Sequence, residues 1–266
     1  MSMPRDYSDV LTKIDRALDE SMTALKKFKS GEVEADVKQS GDPVTDADRM
    51  VDKLLKKYLP EDNDGWLSEE TRDDLIRLEK RTVWIVDPLD GTKEFVKGIP
   101  EWVVSIAYVV DGLAVAGGMC NPDTGERFLG ALGHGVYYNG KKAAMSSRNS
   151  LEGAVVPASR SEVRRGEWEK FEKSSINIKP MGSVAYKLGL LSAGKVDANW
   201  TLVPKHEWDV AAGVALVEAA GGFARLKTGE RPSFNNRDPL LPGLWAGPAQ
   251  LYDAIYNLLE PYLDLK

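Results

Sequence analysis

The twelve residues Trp84–Phe95, WIVDPLDGTKEF, restrict the fold more tightly than any other stretch of the chain. The run up to Val86 is continuously apolar, the pattern of a strand buried on both faces. Asp87 and Asp90 follow, three residues apart, where Pro88 works against a simple continuation of the strand. A turn there can bring both carboxylates and the Leu89 carbonyl to one point. Gly91 permits the tight backbone, and Thr92 offers a hydroxyl where a helix can begin. Two carboxylates held close together repel each other unless a cation neutralises them. Carboxylate and carbonyl oxygens are hard donors that suit Mg²⁺ better than zinc. Aspartates that only cap a turn would give the same local pattern.

Around this corner the chain sorts into helices and strands. Val10, Ile14, Leu18 and Leu25 recur at helical spacing over about residues 7–29, ended by Ser30 and Gly31. A second amphipathic helix opens at Thr45, carries Ala47, Val51, Leu54, Leu55 and Tyr58 on one side, and closes at Pro60. From Thr82 to Tyr138, strand-like segments broken by turns predict an antiparallel meander. Beyond it, GAVVPASRS and INIKPMG read as short strands, and SVAYKLGLLSAG, EWDVAAGVALVEAAGG and GPAQLYDAIYNLLEPYL as helices. The alternation predicts an α/β architecture of stacked layers. Residues 1–145 would form an N-terminal α+β part with the paired helices, the antiparallel sheet and most candidate metal ligands. Residues 146–266 would form a C-terminal α/β part that completes the site.

With 266 residues, 42% of them hydrophobic, the chain can bury a substantial core. The 35 Lys and Arg against 41 Asp and Glu leave a formal charge of −6, so no global positive field draws in nucleic acid or an anionic membrane. A phosphate-bearing partner has to be met by local cations. Cys120 is the single cysteine, which excludes an internal disulfide and argues against a thiolate zinc cluster. No run reaches about 18 apolar residues, and MSMPRDYSDV lacks the basic and apolar segments of a secretion signal. The expectation is a cytoplasmic protein with no membrane partner.

DPLDGT at Asp87–Thr92, an upstream SEE at Ser68–Glu70, and Trp208-Asp209 leading into an Ala- and Gly-rich helix that ends in EAAGG together resemble the inositol monophosphatase family of magnesium-dependent, lithium-sensitive phosphatases. The likeness runs over nearly the whole chain. It implies a layered α/β/α/β/α sandwich, two or three Mg²⁺ ions, and direct attack of water on a small phosphate monoester without a covalent phosphoenzyme. It implies Glu69, Asp87, the Leu89 carbonyl, Asp90 and Asp209 as metal ligands, with Glu70 behind them. Asp48 would pair with Thr92 to orient and deprotonate a water, and the amides of Gly91 and Thr92, with Asp209, would meet the substrate. Each acid also has a structural reading. Asp48 follows Thr45 at capping-box spacing, and Glu69, Glu70 and Asp209 suit first-turn positions of helices. Asp46 is expected to be exposed, and neither His134 nor His206 need act as a nucleophile. A homodimer is expected from the same likeness, with Trp102, Tyr137 and Tyr138 available for an apolar patch.

Substrate choice rests on finer features. Inositol-specific members tend to read DGTTNF, whereas this chain reads DGTKEF and so resembles the bacterial nucleotidases that hydrolyse adenosine 3′,5′-bisphosphate. Lys93 is a candidate contact to the second phosphate, with a solvated lysine as the alternative. Ser183 and Lys187, in GSVAYKL, resemble the family's substrate-side loop and helix start. The segment NWTLVPKHEWD lacks a glutamate at the usual inositol-binding place, and Glu207 is the nearest acid. The expected reaction is therefore hydrolysis of adenosine 3′,5′-bisphosphate to AMP and phosphate. An inositol or other polyol phosphatase is the first alternative, and a non-catalytic regulator that binds metal and phosphate is the second. No nucleic-acid partner is expected.

Overall fold

A computed structural model describes residues 6–38 and 43–265. Helices α1 (Ser8–Leu25) and α2 (Asp46–Tyr58) form where the apolar spacing predicts them, and a two-residue antiparallel ladder, β1 (Asp36–Val37) with β2 (Pro43–Val44), lies between them in the chain. The central sheet has seven strands in chain order: β3 (Asp64–Ser68), β4 (Thr82–Asp90), β5 (Val103–Val110), β6 (Leu113–Asn121), β7 (Glu126–Ala131), β8 (Gly135–Tyr138) and β9 (Lys141–Ala143). Only the β3–β4 pairing is parallel; the rest is the expected meander. A one-and-a-half-turn helix, α3 (Thr92–Val96), separates β4 from β5.

Strand β10 (Val155–Ser159) runs parallel to β11 (Asn177–Met181), and α4 (Arg160–Arg164) lies in the crossover. Then come α5 (Val184–Ser192), β12 (Asn199–Thr201), β13 (Lys205–His206), α6 (Glu207–Ala219), β14 (Gly222–Leu226), β15 (Leu240–Leu241), β16 (Leu244–Pro248) and α7 (Tyr252–Leu259). Strands β12, β16 and β14 make a second, antiparallel sheet, and β13 pairs with β15.

Side-chain alternation along the strands builds the layers. Trp84 and Val86 face a cluster with Ile14, Leu18, Val51 and Leu55 of α1 and α2. Val83 and Ile85, on the opposite face, join Leu188 and Leu191 of α5, Val214 and Leu216 of α6, and Ala224, Leu244 and Ala246 of the small sheet. The small sheet's other face, Trp200, Phe223 and Trp245, packs on Leu251, Ile255 and Leu259. The order is α/β/α/β/α. Helix α6 lies between two sheets and buries Val210 to Val217 without a polar face. Gly117 lets it close on β6, since a Cβ there would lie 2.6 Å from the Ala212 carbonyl oxygen.

Two expectations need correction. Strand β4 does not stop before Pro88 but runs to Asp90 across a register shift between Asp87 and Asp90, opposite Ser105 and Val103. A bulge tolerates the missing proline N–H and re-aims the side chains around it. Of the three residues named for an apolar patch, Trp102 is core and Tyr138 is half-buried, leaving only Tyr137 exposed. Among the described residues, no helix is long and apolar enough to cross a membrane.

Candidate active site

The bulged end of β4, the start of α5 and the start of α6 meet at one point. Asp87 is enclosed, and its Oδ1 accepts the Leu89 N–H at 2.9 Å. Asp90 Oδ2 accepts the Ser183 hydroxyl and the Ala185 N–H, both at 2.6 Å, which ties the strand end to α5. Asp209, the third residue of α6, accepts the His206 N–H at 2.9 Å in a capping arrangement. The imidazole of His206 stacks on Trp208 at 4.4 Å and 5°. Candidate ligand oxygens of Asp87, Asp90 and Asp209 lie within 4.8 Å of one another.

The electrostatics follow from this crowding. Burial pushes the Asp87 carboxyl well above its ordinary range, and the charges of Glu69, Asp90 and Asp209 push it further. Asp209 is raised well above the ordinary value by burial, then by Asp90 and Glu69. Burial also raises Asp90, against the opposing hydrogen bonds from Ser183 and Ala185 and the charges of Lys187 and Lys205. Three converging acids, Asp87 buried and Asp90 and Asp209 partly so, with raised proton affinity and hard oxygen donors fit a divalent cation, which would exchange for the protons.

Glu69 follows β3 as predicted but is not one of the three converging acids. Its Oε1 lies 2.6 Å from the Lys38 ammonium, which also contacts Glu70. Burial lowers the Lys38 pKa, but the two glutamates outweigh it and raise it above the ordinary lysine value. Glu69 would exchange Lys38 for a metal ion to complete the ligand set.

One Asp48 side chain both caps α2 and reaches Thr92. Its Oδ2 accepts the N–H and hydroxyl of Thr45 at 2.8 and 2.5 Å, closing a capping box, while its Oδ1 lies 3.1 Å from the Thr92 hydroxyl. Thr92 Oγ1 is also 3.1 Å from the Leu89 carbonyl oxygen. Burial raises the Asp48 pKa against these hydrogen bonds. Gly91 permits the approach of Thr92: its φ is 105°, and a Cβ would lie 2.9 Å from both the Glu101 carbonyl oxygen and Trp102 Cβ.

The residues expected on the substrate side separate. Lys93 is exposed on α3. Ser183 has φ 52° and binds Asp90, as above. Lys187 is buried, and that burial pushes its pKa down to about 8, with Glu162, Lys205, Asp90 and Glu94 around it. Glu207 is corrected. It is fully buried and accepts the N–H groups of Asn235 at 2.7 Å and Asn236 at 2.8 Å and the Asn236 side-chain amide at 2.7 Å, so its carboxylate faces a neighbouring loop. Asp46 is exposed, His134 lies in a turn, and His206 precedes α6. Three residues near the site were missed: Lys38, Glu162 and Lys205. The only signal available for Lys205 was a cation four residues before Asp209 in NWTLVPKHEWD.

The model of the inositol monophosphatase family matches residues 7–262. A curated protein of Thermotoga maritima, "Fructose-1,6-bisphosphatase/inositol-1-monophosphatase", is 33% identical over 67% of this chain and 67% of its own length. A solved inositol monophosphatase of Thermotoga maritima superposes with a TM-score of 0.80 at 27% identity, over 96% of this chain and 98% of that one. The solved CysQ of Bacteroides thetaiotaomicron, described as a bacterial member of the same family, superposes at 0.75 with 27% identity, over 91% and 98%. With this fold and this group of acids, the protein is of the metal-dependent phosphatase class. The chain belongs to the inositol monophosphatase family.

Proposed function

We propose that this protein is a Mg²⁺-dependent, lithium-sensitive, cytoplasmic hydrolase of small phosphate monoesters, with adenosine 3′,5′-bisphosphate as substrate and AMP and phosphate as products. One observation carries the phosphatase reading: three carboxylates from β4 and α6 converge within 4.8 Å beside a Thr92–Asp48 hydrogen bond. Asp87, Asp90 and Asp209 would hold the metal, joined by Glu69 and the Leu89 carbonyl. Two or three bound Mg²⁺ ions would supply positive charge for the phosphate, acidify a water, and stabilise the departing oxygen. Thr92 would orient a water through its hydroxyl, and Asp48, its proton affinity raised by burial and hydrogen-bonded to Thr92, would accept a proton by way of it. Ser183 and the Ala185 amide fix the direction of Asp90. Glu70, which already shares the Lys38 ammonium, would keep it once Glu69 turns to the metal.

The nucleotide reading rests on DGTKEF and on the likeness to CysQ. A second reading, inositol phosphate, is favoured by the name of the Thermotoga relative. A homodimer and the absence of a nucleic-acid partner belong to the same proposal. The test is phosphate release with Mg²⁺ from adenosine 3′,5′-bisphosphate, inositol 1-phosphate, fructose 1,6-bisphosphate and histidinol phosphate. Asp90→Asn should keep its circular dichroism spectrum and lose about 10²–10³-fold in kcat, the scale for removing one preorganised electrostatic group. Undiminished turnover in excess chelator would overturn the reading.

A further inference from the structure

Helix α2 carries a second buried acid with no part in the chemistry described above. Asp52 stands four residues after Asp48, so the two side chains lie over one face of the helix. Asp48 reaches Thr92 at the start of α3, whereas Asp52, 6% exposed, reaches the end of β3. Its Oδ1 accepts the Ser68 hydroxyl at 2.6 Å, and its Oδ2 accepts the Thr71 hydroxyl at 2.7 Å. The Glu70 N–H donates in turn to Ser68 Oγ at 3.4 Å. Ser68 is the last residue of β3 and stands opposite Val86, the residue before Asp87. Past it the chain leaves the sheet and bends through Glu69, Glu70 and Thr71. A segment outside a ladder keeps its conformational freedom unless side chains tie it down. The Ser68 and Thr71 hydroxyls bracket the glutamate pair, so one buried carboxylate clamps both ends of it with two charge-assisted bonds. Fastening α2 to the sheet does not call for this arrangement. Val51 and Leu55 already pack the helix into that layer, and an apolar residue at Asp52 would do so without the cost of burying a carboxylate.

We propose that Asp52 is a positioning residue for metal binding: by clamping Ser68 and Thr71 it holds Glu69 at a fixed place relative to Asp87, Asp90 and Asp209. Because Asp48 rides on the same helix, α2 sets Glu69 and the Asp48–Thr92 pair in one frame. This rests on the reading of Glu69 as a metal ligand. With the backbone of the bend fixed, Glu69 turns from Lys38 to a cation by side-chain rotation alone, and binding does not have to order the segment.

The experiment compares wild type, Asp52→Ala, Asp52→Asn and Thr71→Val, with Ile255→Val, in the α7 layer, as a control for lost stability alone. Calorimetry measures Mg²⁺ affinity, hydrogen–deuterium exchange follows residues 68–71, and phosphate release from the best of the four substrates above is followed against Mg²⁺ concentration. Asp52→Ala should lower Mg²⁺ affinity about 10- to 100-fold, the range for groups that orient metal ligands. The Mg²⁺ concentration for half-maximal turnover should rise in step, while KM for the phosphate ester at saturating Mg²⁺ stays unchanged. Thr71→Val keeps the shape of the side chain and removes one of the two donors, so it should lose about tenfold, the low end of the same range. Asp52→Asn, which keeps an acceptor oxygen, should recover most of the loss, and exchange over residues 68–71 should rise wherever affinity falls. Ile255→Val should keep wild-type Mg²⁺ affinity. Unchanged affinity in Asp52→Ala and Thr71→Val, or a loss in Ile255→Val as large as theirs, would reduce Asp52 to a fastening of α2 and overturn the proposal, with the phosphatase reading left standing by wild-type turnover. If Asp52→Ala does not fold, Thr71→Val decides. If wild type releases phosphate from none of the four substrates, the phosphatase reading fails. Calorimetry and exchange then still decide Asp52: no Mg²⁺ binding in wild type, or affinity and exchange that the variants leave unchanged, overturns it.

Discussion

At the scale of single residues, the site is expensive to build. Asp87 and Asp209 lie in a close group of like charges, Asp87 buried and Asp209 partly so, and both carboxyls titrate above their unfolded values. The native chain therefore binds more protons than the unfolded one, so this contribution to stability is present in acid and is lost as pH rises from the ordinary aspartate value of 3.8 through the raised native values. In chelator, the melting temperature should fall over that window and recover when Mg²⁺ replaces the protons. Asp87→Asn removes one of the repelling charges and keeps the acceptor for Leu89. In chelator near neutral pH it should be more stable than wild type by about 0.5–2 kcal/mol, the common gain when a functional compromise is removed, while gaining less from Mg²⁺. Thermal melts of both proteins across pH, with and without Mg²⁺, check this. A variant less stable than wild type in chelator at neutral pH would mean that the carboxylates do not strain the fold.

At the scale of elements, α6 has to deliver Asp209 at a fixed height, and Glu207 sets that height. Its carboxylate grips the N–H groups of Asn235 and Asn236, and Arg77 closes the far side by donating to the Asn235 side-chain oxygen at 2.8 Å and the Asn236 carbonyl at 2.9 Å. Asn235 has φ 66°, a left-handed conformation that asparagine tolerates better than most residues. Glu207→Gln puts an NH₂ donor against a backbone N–H donor. It should cost about 1.5–3 kcal/mol, as for charged hydrogen bonds, and weaken Mg²⁺ binding together with it. Urea unfolding and metal titration on the same variant measure both, and unchanged metal affinity despite lost stability would separate the latch from the site. From sequence, Glu207 reads as a substrate contact because it is the acid nearest the usual inositol-binding place; only the fold shows that it faces the other way. The elements that were legible carried their own signals. The Thr45–Asp48 box and apolar spacing marked α2, and the unbroken apolar run with Asp87 and Asp90 marked β4. Strands β12, β14 and β16 are three to five residues long and lie inside segments whose composition a helix or loop shares, so pairing rather than local preference decides them. Lys205 lies in a short ladder whose partner, Leu241, is distant in the chain, and Lys38 directly follows a two-residue strand; no periodicity marks such positions.

At the scale of the whole molecule, the sequence suggested a division between residues 1–145 and 146–266, and the packing bears directly on whether those parts can stand alone. One face of the central sheet is covered by α1 and α2, from the same part, but the other face is covered by α5 and α6, from the second part. Val83, Ile85 and Val109 are 0–1% exposed because Leu188, Val210 and Leu216 belong to the same cluster. Separated, residues 1–145 would present that face of the sheet to water, together with Asp87 and Asp90 but without Asp209. Each large aliphatic side chain so uncovered loses about 1.5–3 kcal/mol, and a handful exceeds the 5–15 kcal/mol by which domains are stable. The site itself straddles the boundary, because Asp90 is held by Ser183 and Ala185. The two parts are therefore expected to fold only together. Residues 1–145 expressed alone should bind a hydrophobic dye, lack a sharp near-ultraviolet dichroism spectrum and show no Mg²⁺-dependent rise in melting temperature. Co-expression with residues 146–266 should restore all three properties of the intact chain. A cooperative melt with a native-like spectrum from residues 1–145 alone would establish them as a domain in their own right and would mean that α5 and α6 dock on a sheet already formed.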